Sequence, residues 1–384
     1  MPRVALVMDF KDIYDHGIVR GVIRYAKSAS RWELFGHDWM FGSLDDPARW
    51  RGDGVIARVA NRETAERVAG IGVPVVDVAG AYDEYGFIHV TNDDVRTGAI
   101  AGEHFRALGL RRFAYCGTGT LWSNKRRDGF ISTTEAPVHE FTQPLEWWET
   151  SPNNDTLTRF LVSLPQATGL FAANDTVALG VLRCARAAGI AVPHALCVVG
   201  VDNEDITCEF ATPSLSSINL RLEEIGFAAA ARLDGFLTDA HVSVPVTIPP
   251  GRLIERESSR VFPTTDPAIR RTLELIYANT PFIPSVSELA IRAAVGRRSL
   301  EIRFKKETGK TIHQAVIHAR MLRAADLLRE TNDKISVVAT AVGFRSTQRF
   351  FELFRERAAM TPHEFRCASP ELADKTIDRL RKNF

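Results

Sequence analysis

Five cysteines, at positions 116, 184, 197, 208 and 367, stand without a CxxC or any regular spacing. That excludes a disulfide framework and the Cys-rich zinc modules, and it points to reduced thiols in a cytoplasmic protein. No apolar run approaches the roughly 18 residues that a membrane span needs. The opening MPRVALVMDF enters a strand pattern directly, without the basic-then-apolar profile of an export signal. The motifs of common chemistries are missing as well. There is no HExxH, no GxSxG elbow, and GTGTLWSN (117–124) has glycines but not the GK[ST] of a phosphate loop. His313 and His318 lie five apart, off one helical face, and the adjacent Glu223 and Glu224 point apart. Neither catalysis nor a metal or other cofactor is expected.

A large net charge is also lacking, since the formal total is only +1. That balance hides an asymmetry. From Thr264 onward there are 22 Lys and Arg against 14 Asp and Glu, whereas the preceding residues hold 26 against 33. A basic block after an acidic one suggests a polyanion-binding module joined to a part that does not bind polyanions.

What is present through the first 260 residues is β-α alternation. VALVMDF (4–10), DGVIARV (53–59), VPVVDVA (73–79), RRFAYCG (111–117), GLFAAN (169–174) and LCVVGVD (196–202) read as buried strands. Helical patterns separate them, among them 17–26, 97–109, 156–164 and 176–188. The expected fold is α/β, with doubly wound parallel sheets and ligand chemistry at the strand carboxyl ends. Several strands close on polar residues: Asp9, Asp77, Asn174 with Asp175, and Asp202 with Asn203. Residues 261–268 read as a linker and 269–384 as all helix.

The helical part contains two similar halves. In the first, Val286, Leu289, Ala290 and Ala293 make the inner face of one helix, and Leu300 and Phe304 anchor the next. Arg298, Glu301, Ile302 and Lys305 then follow i, i+3, i+4, i+7 spacing on the opposite face, with Arg297 beside them. The second half repeats this with Phe350 and Phe354 inside and Thr347, Gln348, Phe351 and Glu352 outside. Between them runs a long amphipathic helix, 312–330, with Ile312, Ala315, Ala319, Leu322 and Ala325 on one side. Two such pairs on a rigid spacer suit entry into successive major grooves, about 34 Å apart.

RRSLEIRFKKETGKT, ATAVGFRSTQRFFELFR and MTPHEFR resemble the AraC/XylS family of transcription regulators, whose DNA-binding domain is two helix-turn-helix units bridged by a long helix. Ala294 stands where that pattern favours glycine, and Gly296 where a Ser N-cap is usual. Residues 1–260 resemble the effector domain of LacI/GalR regulators and the related periplasmic sugar-binding proteins. The carrying segments are VTNDDVRTGAIAGEHFRALGLRRFAYCG, GLFAANDTVALGVLRCARAAGI, LCVVGVDNEDITCEFATPSLSSI and IPPGRLIERESS. Together the resemblances imply a two-lobed sensor of the periplasmic-binding-protein type followed by a DNA reader. They further imply a sugar effector, D-xylose or a close pentose, together with double-stranded operator DNA, a homodimer and contact with RNA polymerase. The competing readings are a regulator that senses another sugar or polyol and, in a different class, a sugar-binding transport component with a helical appendage.

A sugar requires forked hydrogen bonds from carboxylates and amides, a planar donor, and an aromatic face for its C–H groups. The expected contacts are Asp202 and Asn203 at one strand end, Asn174 and Asp175 at another, and Asp93 at a helix start. Asn174 and Asp175 could equally cap the helix that follows them. Arg126 falls where the sensor family places its ligand-binding arginine. Tyr14 and Trp148 are the aromatics nearest the expected crevice loops.

Overall fold

A computed structural model describes residues 1–9, 13–30, 32–36, 50–150, 154–238, 244–262, 264–278 and 283–382. It divides into two compact units, Met1–Ser259 and Arg260–Phe384.

The first unit holds two six-stranded sheets. Lobe one begins with β1 (Arg3–Val7), α1 (Ile13–Tyr25), β2 (Glu33–Gly36), β3 (Gly54–Ala57), α2 (Arg62–Ala69), β4 (Val75–Asp77) and β5 (Ile88–Asn92). The chain then enters lobe two through α3 (Asp94–Ala107), β6 (Arg112–Gly117), α4 (Leu121–Thr134), β7 (Val138–Thr142), α5 (Leu145–Thr150) and α6 (Asp155–Ser163). It continues with β8 (Thr168–Ala172), α7 (Asp175–Ala187), β9 (Leu196–Asp202), α8 (Asp205–Phe210) and β10 (Ser216–Asn219). It returns to lobe one for α9 (Leu222–Thr238) and β11 (Val246–Ile248), then crosses back for β12 (Leu253–Ile254). The sheet orders are β11-β5-β4-β3-β1-β2 and β12-β10-β9-β8-β6-β7, all pairs parallel except β10 with β12. Central strands read as continuous apolar runs because helices cover both faces: Val4, Ala5, Val55 and Ile56 are all fully buried.

One close approach matters for the site. A Cβ on Gly98 would lie 1.8 Å from the carbonyl oxygen of Arg126, and one on Gly129 would lie 1.9 Å from that of Val95. Only glycine at both positions lets α3 and α4 touch backbone to backbone. That contact carries the start of α3 up to the Arg126 side chain.

The second unit is helical: α10 (Pro267–Tyr277), α11 (Val286–Arg292), α12 (Arg297–Thr308), α13 (Ile312–Glu330), α14 (Ile335–Ala341), α15 (Thr347–Ala358), α16 (Pro362–Cys367) and α17 (Pro370–Lys382). The segment expected to be a linker is already helical at Pro267. Asp266 caps α10 by accepting the Ala268 and Ile269 N–H groups, and proline suits a first helical turn; position 263 lies outside the described residues. The long helix α13 serves two cores. Ile312, Ala315, Val316 and Ala319 pack with Leu289, Leu300 and Phe304, while Met321, Ala324, Ala325 and Leu328 pack with Phe350, Phe354 and Phe365. No helix among the described residues is long and apolar enough to cross a membrane.

Candidate ligand crevice and DNA-reading surface

Polar side chains from both lobes converge beyond the carboxyl ends of β5, β8 and β9. At their centre is Arg126 on α4, only 3% exposed. Its Nε donates to Asp94 Oδ1 at 2.8 Å, and a terminal nitrogen donates to the Ala173 carbonyl at 2.7 Å and lies 3.9 Å from Asp202 Oδ1. Its guanidinium stacks 4.7 Å from the Trp122 ring centroid, which leaves the plane of the fork fixed. Burial opposes the charge, but Asp94 and Asp202 outweigh it and hold the group above its ordinary pKa. A buried cation held between two carboxylates is a preformed fork for hydroxyl groups.

Tyr14, from lobe one, reaches the same cluster. Its hydroxyl lies 3.4 Å from Asn92 Oδ1, and the Asn92 amide donates to Asp94. Burial, reinforced by Asp94 and Asp202, pushes the phenol well above its ordinary range, so it remains a neutral donor. Asp202 and Asn203 adopt left-handed backbone, φ 107° and 53°. Such conformations cost about 1–3 kcal/mol each and collect at ligand clamps. Asn203 is held on two sides: its N–H donates to Ser217 Oγ at 3.0 Å, and its Oδ1 accepts from Arg256 at 2.9 Å.

The remaining expected contacts have other partners. Asn174 caps α7, accepting the Val177 N–H at 3.0 Å. Asp175 is 3% exposed and turned into lobe two, where it accepts from Ser217 Oγ at 2.6 Å, the Glu204 N–H at 3.2 Å and Cys208 Sγ at 3.4 Å. Burial raises its pKa to about 6 against those hydrogen bonds. It therefore braces the Asp202–Glu204 turn from behind. Asp93 caps α3 by accepting the Arg96 N–H at 2.8 Å, and Asp94 is the carboxylate that meets Arg126. Trp148 is 1% exposed in the core of lobe two and donates its indole N–H to the Gly117 and Gln143 carbonyls; the aromatic that faces Arg126 is Trp122. Sequence reasoning missed Asp94, Asn92, Trp122 and Arg256. Asp94 had a signal, since a helix N-cap spends its carboxylate on the helix and leaves the next residue free.

In the second unit, α11–α12 and α14–α15 are two helix-turn-helix pairs. Leu300, Phe304, Phe350 and Phe354 are fully buried. Arg297, Arg298, Glu301, Ile302 and Lys305 line one exposed face of α12, with Ile302 60% exposed. Arg297 pairs with Glu301 at 3.1 Å, and Arg298 makes no ion pair among the described residues. On α15, Thr347, Gln348 and Glu352 are exposed; Gln348 and Arg349 both donate to Glu352, at 3.3 and 3.2 Å. Phe351 is half-buried, edge-on to Phe350 and against the second core. Arg303 forks onto the cap residue Asp266 at 2.8 and 2.6 Å, which ties α12 to α10.

A two-lobed sensor joined to two helix-turn-helix units defines a ligand-responsive transcription regulator. Family models agree: XylR N-terminal domain matches residues 3–92, periplasmic binding protein-like domain 103–259, and helix-turn-helix domain 289–368. The chain is 31% identical to the xylose operon regulatory protein of Haemophilus influenzae, over 95% of this chain and 98% of that one. It is 31% identical to that of Escherichia coli K12, over 96% and 98%. A solved structure of the xylose-binding transcription activator xylR covers 95% of this chain and 98% of its own at 28% identity, with a TM-score of 0.65. A LacI family transcriptional regulator from Enterococcus faecium, solved with bound ribose, shares the sensor fold at 23% identity and TM-score 0.57, over 68% of this chain and 99% of that one. The chain belongs to the family of xylose operon regulatory proteins, with a LacI-like sensor and an AraC-type reader.

Proposed function

We propose that the sensor binds D-xylose or a close pentose in the crevice around Arg126, and that the reader binds double-stranded operator DNA through α12 and α15. On this reading the protein is a cytoplasmic, non-enzymatic activator that works as a homodimer with RNA polymerase. The observation that carries the sugar reading is the Arg126 fork between Asp94 and Asp202, bordered by Trp122 and by the neutral Tyr14 hydroxyl. Carboxylates and a guanidinium can grip vicinal hydroxyls in two-point fashion, and an indole can cover a C–H face. The names of the full-length relatives support the choice of xylose. Arg298, Glu301, Ile302 and Lys305 on α12, and Thr347 and Gln348 on α15, are the exposed groups in position to meet base edges and phosphates.

Calorimetric titration of the full chain against D-xylose, L-arabinose, D-ribose and D-glucose tests the sensor. D-xylose should bind with the highest affinity. Asp202→Ala should weaken it ten- to a hundredfold, since a hydrogen bond to a charged group contributes about 1.5–3 kcal/mol. Its melting temperature should fall little, because Arg126 keeps its bonds to Asp94 and to the Ala173 carbonyl. Normal sugar binding by a destabilised Asp202→Ala chain would make that residue structural.

A further inference from the structure

Asn203, one of the two residues expected to touch sugar at the end of β9, is bonded directly to the strap that leads out of the sensor. Arg256 is 5% exposed and lies three residues before the end of the first unit. One terminal nitrogen donates to Asn203 Oδ1 at 2.9 Å and to the Leu215 carbonyl at 3.0 Å; the other lies 3.9 Å from Asp205 Oδ1. Its backbone is locked as well. The Arg256 N–H donates to Ser216 Oγ at 2.8 Å, and that hydroxyl donates back to the Arg256 carbonyl at 3.0 Å.

The rest of the strap is stitched to the same strands. Ser258 donates its N–H to the Ser214 carbonyl at 2.9 Å, its hydroxyl donates to the Val198 carbonyl at 2.6 Å, and its carbonyl accepts the Val198 N–H at 2.8 Å. Ser259 Oγ donates to Ser216 Oγ at 2.9 Å and lies 2.9 Å from His104 Nε2. Arg260, the next residue, opens the reader unit. Nothing of this density is needed to end a sheet. Two-stranded pairing of β10 with β12 already closes the edge at Ser217–Ile254 and Ile218–Leu253.

We propose that Arg256 is the positioning residue that couples the crevice to the strap preceding the reader: it holds Asn203 in place for the sugar and passes any shift of Asn203 into the segment Arg256–Ser259. This rests on the reading that Asp202 and Asn203 meet the sugar. The left-handed turn at these residues is an element that can be stabilised by a ligand on one side and by Arg256 on the other. A ligand that fixes the turn therefore also fixes the guanidinium and the chain behind it, and by reciprocity the strap sets sugar affinity. Asp175, through Ser217, is the fixed wall against which the turn is held.

The test is hydrogen–deuterium exchange on the full-length chain, with and without saturating D-xylose, comparing wild type with Arg256→Lys and Arg256→Met. D-xylose should slow exchange roughly tenfold or more in peptides covering 202–207 and 254–259 of the wild type. Arg256→Lys keeps the charge but ends in a single nitrogen on a shorter stem, so it loses the fork that spans Asn203, Leu215 and Asp205. It should bind sugar about tenfold more weakly, and at saturation it should protect 202–207 without protecting 254–259. Arg256→Met, which keeps only the aliphatic stem, should behave the same way. A strap that stays protected in both variants overturns the coupling, as does a wild-type strap indifferent to bound xylose. Absence of D-xylose binding by the wild type overturns the ligand reading and the coupling together, an outcome that the calorimetric titration identifies by itself.

Discussion

The two reading heads make the same turn with different residues. α11 ends with the Ala294 N–H bonded to the Ile291 carbonyl and the Val295 N–H to that of Ala290; α14 ends with Gly343 and Phe344 bonded likewise to Thr340 and Ala339. Both therefore pass through a left-handed residue, Ala294 at φ 54° and Gly343 at φ 88°. Glycine adopts that backbone without strain, whereas a Cβ costs roughly 1–2 kcal/mol. The recognition helices differ in the same sense. Ser346 caps α15 by accepting the Arg349 N–H, while Gly296 begins α12 with no side-chain cap. The head that comes first in the chain is thus the weaker at its turn and at the start of its recognition helix, although its first helix carries a Ser285–Glu288 capping box that α14 lacks. The difference shows that a shared topology does not imply shared stability.

Four experiments would break or sharpen that contrast. The largest effect attacks both heads at once through His318. Its Nδ1 accepts from the Tyr277 hydroxyl on α10 at 2.7 Å and its Nε2 donates to the Leu380 carbonyl on α17 at 2.9 Å, so it links the first core to the second. Burial, with help from nearby Arg357 and Lys310, depresses its pKa to about 4. The folded state thus prefers the neutral ring. The stability this confers is complete above the unfolded value of about 6.5, and it is lost as pH falls from there towards 4, by something on the order of 2–3 kcal/mol. Denaturant titrations between pH 7.5 and 4 should show this slope, and His318→Gln should flatten it. A variant with the wild-type slope would place the titration elsewhere.

Next comes Gly343→Ala, which gives the second turn the residue of the first. The new Cβ would lie 2.9 Å from the Arg320 guanidinium, a movable group, so most of the loss comes from backbone strain. About 1–2 kcal/mol of stability should disappear, visible as a lower unfolding midpoint; an unchanged midpoint would mean that α14–α15 tolerates the strain elsewhere. The reverse exchange, Ala294→Gly, should stabilise the first head by a smaller amount, about 0.5–1 kcal/mol, because glycine also loses more freedom on folding. Smallest of all, Gly296→Ser should add a few tenths of a kcal/mol by supplying the missing cap. Melting curves of the single and double variants should show the last two adding.

The backbone anomaly in the first head is legible in the sequence, because Ala294 and Gly296 occupy positions whose conformation the turn dictates. Long runs are legible too: VALVMDF and LCVVGVD as continuous apolar strands, and 312–330 as a helix. The strands at Glu33–Gly36, Ile88–Asn92 and Val138–Thr142 are not. β5 alternates buried with half-buried residues and β7 is mostly exposed at a sheet edge, so neither reads as an apolar run. The stripe on α13 reads as one face, yet it supplies two cores. At about 3.6 residues per turn Ile312, Ala315, Val316 and Ala319 lie on one side of the helix and Met321, Ala324, Ala325 and Leu328 about half a turn away, so the two cores take opposite faces that a one-stripe reading cannot hold.

The sequence by itself determined the order of sensor and reader, the α/β lobes, the two helical pairs with their anchors Leu300, Phe304, Phe350 and Phe354, and Arg126 and Asp202 as crevice residues to test. The lobes, the helical pairs and their anchors follow from hydrophobic periodicity and charge, whereas Arg126 and, for the most part, Asp202 follow from the resemblance to the sensor family; all of these signals are local. Tertiary structure decided which polar side chains share a space. It set Asp94 rather than its neighbour Asp93 against Arg126, Trp122 rather than Trp148 beside the guanidinium, and Arg256 on Asn203. The reason is that a carboxylate or indole spends its hydrogen bonds on whatever lies nearest. What lies nearest Arg126 is set by two glycines that let α3 and α4 touch, and by a chain that crosses between lobes three times.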